Sequence, residues 1–280
     1  MGLSVVILTF NAERTIGATL ASAARLSDDI HVVDSGSTDG TLALVEASGA
    51  HLARHPFESY GAQRNWAIDT LPLKHDWQLH LDADERLTDG LVAAIQRLDQ
   101  AGFPGPAVGY FIPRLVHFLG RPIRHGGMYP IWHMRLFKTS HGRCESRRYD
   151  QHFLVDGPTG QLSEPMIDDM RMPLGEWVVR HNRWADAEAE ELEQGSAAGL
   201  LVEARLAGNP VERKRALRGG YNRLPRFWRA LALFLYRYLF RLGFLDGKEG
   251  LIFFVLQSFW FRFLVDAKLY ERERERGPHG

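Results

Sequence analysis

The chain has 280 residues, 45% of them apolar, and its 34 basic side chains balance 34 acidic ones, so no global field draws it to nucleic acid and no nucleic-acid partner is expected. One cysteine, Cys144, excludes an internal disulfide and a cysteine-rich zinc site and suits a reducing compartment. The opening residues Met1–Val6 carry no basic stretch and no cleavage signal, so no secretion is expected.

In chain order, Ser4–Phe10 is a β-branched apolar run and predicts a buried first strand. A helix is expected from Asn11 to about Arg25, then a second strand at Asp29–Asp34. The polar turn Ser35–Thr41 leads into a helix near Leu42–Ala47, followed by a short strand at His51–Arg54, a helix over Gly61–Thr70 and a strand at Gln78–Asp82. Strands alternating with helices predict a mostly parallel sheet with right-handed crossovers. Such sheets bind ligands outside the carboxyl ends of their strands. Thr9, Asn11, Asp34, Asp82 and Asp84 all fall there. Alternation along a strand sends Asp82 and Asp84 to one side and Ala83 to the other. Two carboxylates so placed can grip Mg²⁺ or Mn²⁺, which take oxygen ligands and share them with substrate phosphates. The plainer reading of the same residues is an acidic turn that caps the next helix. The first strand lacks the Gly-x-Gly-x-x-Gly of a dinucleotide fold, and the chain has no Gly-Lys-Ser/Thr phosphate loop. A diphosphate here needs a cation and side chains.

Ser4-Val-Val-Ile-Leu-Thr-Phe-Asn11, Val33-Asp-Ser-Gly-Ser-Thr-Asp-Gly-Thr41, Gly61-Ala-Gln-Arg-Asn-Trp66 and Leu81-Asp-Ala-Asp-Glu85 resemble the ordered signature blocks of family 2 glycosyltransferases. The branch most similar includes bacterial lipopolysaccharide-core β-glucosyltransferases. The resemblance implies a GT-A fold, a Rossmann-like nucleotide-binding sheet, and inverting transfer of a sugar from a nucleoside diphosphate donor, UDP-linked on this reading. It places Thr9, Asn11 and Asp34 at the base and ribose, and Asp82 and Asp84 at the ribose and metal. Arg64 and Asn65 would lie near the base or diphosphate. Many relatives carry two acids after the second strand, whereas Ser35 follows Asp34 here.

Val108–Pro113, Leu115–Leu119 and Met134–Lys138 read as strands of a more irregular half, and Gly126–Trp132 as an aromatic connection suited to an acceptor pocket or to core packing. Inverting transfer needs a base for the acceptor hydroxyl. Relatives carry a His-Glu pair where this chain has Tyr149-Asp150, which nominates Asp150, with Glu145 and Asp156 in reserve. His181-Asn-Arg-Trp184 resembles a further block near the diphosphate. There His181 is a candidate third metal ligand, and Arg183 would offset leaving-group charge. The acidic run Asp186–Glu193 and the alternating Glu271–Arg276 read as solvated helix faces.

The last quarter changes character, and the expected domains are a catalytic one over 1–210 and a helical region over 211–280. Arg226, Arg229, Arg237 and Arg241 share about a third of a helix circumference, the pattern of a helix lying on an anionic membrane surface. Leu251–Phe261 is too short for the ~20 residues of a span. The expected partners are a nucleoside diphosphate sugar, a glycan or glycolipid acceptor and a membrane surface, with the protein held at the inner, cytoplasmic face. Two alternatives stand beside this: a polyprenyl phosphate acceptor, which needs no base, and a non-catalytic membrane-bound scaffold.

Overall fold

In the computed structural model the first apolar run is β1 (Leu3–Thr9), buried along its whole length. The structure describes residues 2–145, 151–193, 207 and 210–277. In chain order follow α1 (Ile16–Ala23), β2 (Ile30–Asp34), α2 (Thr41–Ser48), β3 (His51–Arg54), α3 (Tyr60–Thr70), β4 (Trp77–Asp82), β5 (Glu85–Leu87), α4 (Asp89–Gln100) and β6 (Gly109–Phe118). Then come β7 (Arg121–Pro122), β8 (Ile131–Lys138), β9 (Gly142–Cys144), β10 (Phe153–Val155), β11 (Thr159–Gln161) and β12 (Met166–Met170). The chain divides into two compact units, one formed by residues up to Gly120 with 130–145 and 151–171, the other by Arg121–Tyr129 and residues from Met172 onward. The expected boundary at residue 210 falls inside the second.

The first unit is built on one mixed sheet, in the order β3-β2-β1-β4-β8-β6-β12-β5. β1 pairs parallel with β2 and β4, while β8 runs antiparallel between β4 and β6. β4 and β5 are two residues apart in sequence yet stand four places apart in that order. The sheet therefore curls, and its far edge returns to the turn holding Asp84. Side chains alternate along β1: Val5 and Ile7 pack with Ile16 and Leu20 of α1 and Val45 of α2, while Val6 and Leu8 pack with Ala67 of α3. Burial on both faces is why these strands read as unbroken apolar runs. α1 begins later than Asn11 for a local reason. Asn11 has φ 46°, in the left-handed region; its N–H donates to Ser37 Oγ and its Oδ1 accepts from the Thr38 N–H. That residue joins two loops instead of opening a helix. Pro113 does not divide β6, which runs through it paired to Trp132.

The second unit is helical: α5 (Leu174–Glu193), α6 (Pro210–Asn222), α7 (Trp228–Leu235), α8 (Gly247–Phe254) and α9 (Phe261–Glu275). Ala185 and Ala189 of α5 pack on Phe261, Val265 and Leu269 of α9. The acidic run of α5 is a docking face and not a solvated one. Glu188, buried, accepts from Arg218 and Arg262, Asp186 from Lys268, and Glu193 from Arg272. α7 continues through a π-helical turn (Tyr236–Phe240), and a second such turn (Val255–Trp260) joins α8 to α9. The run Gly243–Glu275, 33 residues, is long and apolar enough to cross a membrane by length and composition. The expected arginine stripe is split. Arg229 is buried in an ion pair with Asp266 and Arg237 donates to Ser258 Oγ, while Arg226 pairs with Glu273 at the surface and Arg241 is exposed.

Candidate active site

The register of three parallel strands brings the predicted residues to one edge. Thr9 stands opposite Asp34 on β2, and Leu8 opposite Asp82 on β4. Asp34 and Asp82 thus flank the carboxyl end of β1. The Thr9 hydroxyl at that end is buried without a hydrogen-bond partner. Asp34 turns into its own loop: it accepts the N–H groups of Gly36 (2.8 Å) and Ser37 (3.0 Å) and the Ser37 hydroxyl. Its carboxylate shapes the turn that holds Ser37 and Thr38 against Asn11. Asp39 does the same further on, accepting from Thr41 and from the Glu13 N–H.

Asp82 closes β4, and Asp84 lies in the turn before β5. The alternation expected of a strand persists through this turn: Leu81, Ala83 and Glu85 are buried, Asp82 and Asp84 half-buried. Ala83 is fixed from both sides, its N–H on the Leu8 carbonyl and its carbonyl on the Thr19 hydroxyl. Two guanidiniums hold Asp82: Arg64 Nη2 donates to Oδ1 and Arg135 Nη2 to Oδ2, each at 2.8 Å. Arg135 Nη2 also donates to Glu85 Oε1 at 2.6 Å, and Glu85 Oε2 accepts the Asp82 N–H. Burial works to raise the Asp82 carboxyl, but Arg135 and Arg64 outweigh it and hold the group well below the usual carboxylate range. Glu85, fully buried, goes the other way, pushed up by burial against the pull of Arg135. Burial beside the same two cations depresses His80 far below its ordinary value. Asp82 is therefore an ionised acid with fixed orientation. Sequence reasoning found Arg64 but missed Arg135 and Glu85; the signal available was the strand Met134–Lys138 carrying one arginine among apolar residues.

The Asn65 amide bonds Cys144, accepting that residue's N–H and donating to its carbonyl, both at 2.9 Å. It pins the chain just ahead of residues 146–150. His181, the expected third ligand, is buried in α5 and stacks on Trp177 with ring centroids 3.4 Å apart; Nδ1 donates to the Trp177 carbonyl and the ring also bonds Gln257. Burial lowers its pKa to about 4. Arg183 lies exposed on the same helix, in the second unit. Asp150 lies outside the described residues. Of the reserve bases, Glu145 is buried, with Oε2 accepting the His152 N–H (3.1 Å), and Asp156 is exposed.

Residues 4–140 match the family described as Glycosyl transferase family 2. Just under half of the chain is thus similar to that family's domain. The lipopolysaccharide core biosynthesis glycosyltransferase LpsC of Rhizobium meliloti (strain 1021) is 24% identical over 288 residues, covering 96% of this chain and 92% of that protein. An uncharacterized glycosyltransferase of Rickettsia bellii is 36% identical over 94 residues, 34% of this chain and 31% of that protein, so the chain spans under a third of that relative. Among solved structures, glucosyl-3-phosphoglycerate synthase from Mycobacterium tuberculosis, in complex with Mn²⁺, UDP and glucosyl-3-phosphoglycerate, is similar with a TM-score of 0.36 and 19% identity, over 50% of this chain and 57% of that one. The matched residues include Asp34, Arg64, Asp82, Asp84 and Arg135, while Glu145 and the whole helical unit from Met172 lie beyond them.

Asp82 and Asp84 offer oxygen donors alone, the ligand type of a hard divalent cation; both Asp82 oxygens also accept from guanidiniums. A second group, Asp29, His31 and His51, offers ligand atoms within 4.8 Å of one another. It sits at the amino ends of β2 and β3, the opposite edge of the sheet from Asp34 and Asp82. Its buried member Asp29 already accepts from Ser4 Oγ (2.5 Å), the Lys74 N–H (2.9 Å) and His31 Nε2 (2.9 Å).

Proposed function

We propose that the protein transfers a sugar from a UDP-linked donor to a hydroxyl of a glycolipid or polysaccharide precursor, with inversion at the anomeric carbon. The reading rests on Asp82, clamped as an anion beside Asp84 at the carboxyl end of β4, with Asp34 across β1. Thr9, Asn11 and the Asp34 turn form the floor for the nucleoside. Asp82 and Asp84 would hold Mg²⁺ or Mn²⁺, which when bound neutralises charge on the departing diphosphate. Arg64 and Arg135 keep Asp82 ionised and aimed, so it needs no reorganisation when the donor arrives. Arg183 supplies a further cation for the leaving group, and Asp150 takes the acceptor proton. The site of action on this reading is the cytoplasmic face of the membrane, where lipid-linked precursors are presented.

The first test is Asp84→Asn. Turnover should fall by at least about a hundredfold, the scale of one oriented electrostatic contact, with the melting temperature unchanged. An unaltered rate would remove the metal role of Asp84. A polyprenyl phosphate acceptor, favoured by the apolar exposed surface of the helical unit, is already an anion; activity surviving Asp150→Ala would select it over a hydroxyl acceptor. A non-catalytic scaffold predicts no change in melting temperature with any nucleotide sugar and Mn²⁺.

A further inference from the structure

Residues 225–276 form a helical hairpin. Phe234 approaches Phe259, Arg237 reaches Ser258 and Tyr238 lies beside Phe254, so the two arms run antiparallel. The turn between them uses two positive backbone angles, at Leu242 (φ 60°) and Gly247 (φ 74°). Both ends of the hairpin are polar. At the base Arg229 pairs with Asp266, and Arg226 with Glu273. At the turn Asp246 accepts the N–H groups of Arg124 (3.1 Å) and His125 (2.9 Å) as well as the His125 ring (2.7 Å), and Arg121 approaches Glu249 at 3.7 Å.

Between these ends the outward surface carries almost no charge. Every exposed residue from Trp228 to Phe240 is apolar or aromatic, and they recur three and four apart, on one face of the arm. Trp228 and Phe240 are 72% and 77% exposed. The return arm exposes Phe244, Leu245, Leu251, Ile252 and Val255, with Lys248 the one charge among them. Exposed apolar stretches of this extent mark an interaction surface.

We infer that this hairpin docks on a lipid bilayer by sinking its uncharged face into one leaflet, lying in the plane of the membrane with both polar ends at headgroup level. Of the four arginines that the helix pattern offers to anionic lipid, Arg229, Arg226 and Arg237 are bonded to Asp266, Glu273 and Ser258, and Arg241 alone is exposed without an acidic partner among the described residues, so apolar burial supplies most of the affinity. We take a bilayer as the occupant because the uncharged surface is bounded at both ends by polar groups, Arg229–Asp266 and Arg226–Glu273 at the base and Asp246–His125 at the turn, the profile of a leaflet entered from headgroup level. The first arm is too short to cross: from Trp228 to Phe240 it rises ~18 Å, against a hydrocarbon core of ~30 Å; the run Gly243–Glu275 has the length of a span, but its second half is charged. In-plane helices bury their apolar face ~5–10 Å deep. Beyond Phe261 the second arm carries Asp266, Lys268 and Arg272, all paired with other helices of the unit, which keeps that half out of lipid. From the transferase reading this takes only that the acceptor lies in a membrane; binding is measured with no donor present, so each can fail without the other.

The experiment sediments the full chain with vesicles of phosphatidylcholine alone and of phosphatidylcholine mixed with phosphatidylglycerol, at about 0.1 M and about 1 M salt, across which the screening length falls from ~10 Å to ~3 Å. Binding to both vesicles, retained at high salt, is expected. Trp228→Ser and Phe240→Ser should each weaken it about tenfold at unchanged melting temperature, while Arg241→Gln and Lys248→Gln leave it within about twofold. As a second readout, brominated lipid should quench the native chain more than Trp228→Phe. Absence of binding, loss of binding at high salt, or loss in the charge variants with retention in the serine variants would overturn the inference. So would serine variants that break a dimer and leave vesicle binding intact.

Discussion

One guanidinium serves two acids in this protein. Arg135 bonds both Asp82 and Glu85, and Glu85 is buried to 1% exposure. Removing the cation strands a buried carboxylate, the situation in which breaking an ion pair is most damaging. Arg135→Met should cost about 3–5 kcal/mol, a fall in melting temperature of about 10 °C for a chain of this size. Adding Glu85→Gln should restore part of that stability without restoring activity, because Asp82 keeps only Arg64; thermal denaturation and turnover on the same pair of variants check both halves. The chain order announced Asp82, Asp84, Asp34 and Arg64, since all four sit inside recognisable blocks at strand or helix ends. It could not announce Arg135, because an arginine 53 residues from its carboxylate in an ordinary strand pattern carries no local mark of its partner. Asn65 shows the converse: it stands inside a block, and nothing local marks that its amide turns to Cys144, 79 residues away.

The helices teach the same lesson about long-range pairing. The acidic face of α5 looks solvated when read alone, yet Arg262, Lys268 and Arg272 of α9 are its counterions, while the rest of the Glu-Arg alternation of α9 is exposed. Helical periodicity identifies a charged face, but the partner that neutralises it lies about eighty residues on. His181 on α5 sits in this helical packing, and its protonation is disfavoured there. Burial holds its pKa at about 4 against an ordinary 6.5. The unfolded chain therefore binds the proton more readily, so stability is fully present above about pH 6.5 and is lost as pH falls toward 4. The loss expected from this one ring is up to about 3 kcal/mol. Denaturant unfolding at pH 7 and pH 5 should show the drop, and His181→Phe should flatten it. An equal slope in that variant would assign the pH response to other groups.

The molecule as a whole combines two properties that oppose solubility. Its charges cancel, with a sequence isoelectric point near 7.2, and its helical unit exposes an apolar hairpin. Proteins near zero net charge lose colloidal repulsion, and exposed apolar surface then decides their fate. Without lipid or detergent, light scattering should show self-association rising toward neutral pH, and vesicles or Phe240→Ser should suppress it. The division into a sheet unit and a helical unit was only partly legible from composition. The change of character after residue 210 is visible, but α5 joins the helical unit through Ala185 and Ala189, residues whose small size becomes meaningful only once α9 is laid against them.

Asp82 is carried by α3 through Arg64 and by β8 through Arg135, two elements far apart in the chain. Anyone transplanting the acidic turn into another scaffold, or recombining segments between relatives to change sugar preference, must move three stretches together. A crossover placed between residues 82 and 135 would inherit an acid from one parent and its counterion from the other, and libraries cut there should yield mostly dead, unstable hybrids unless both parents hold an arginine at each position.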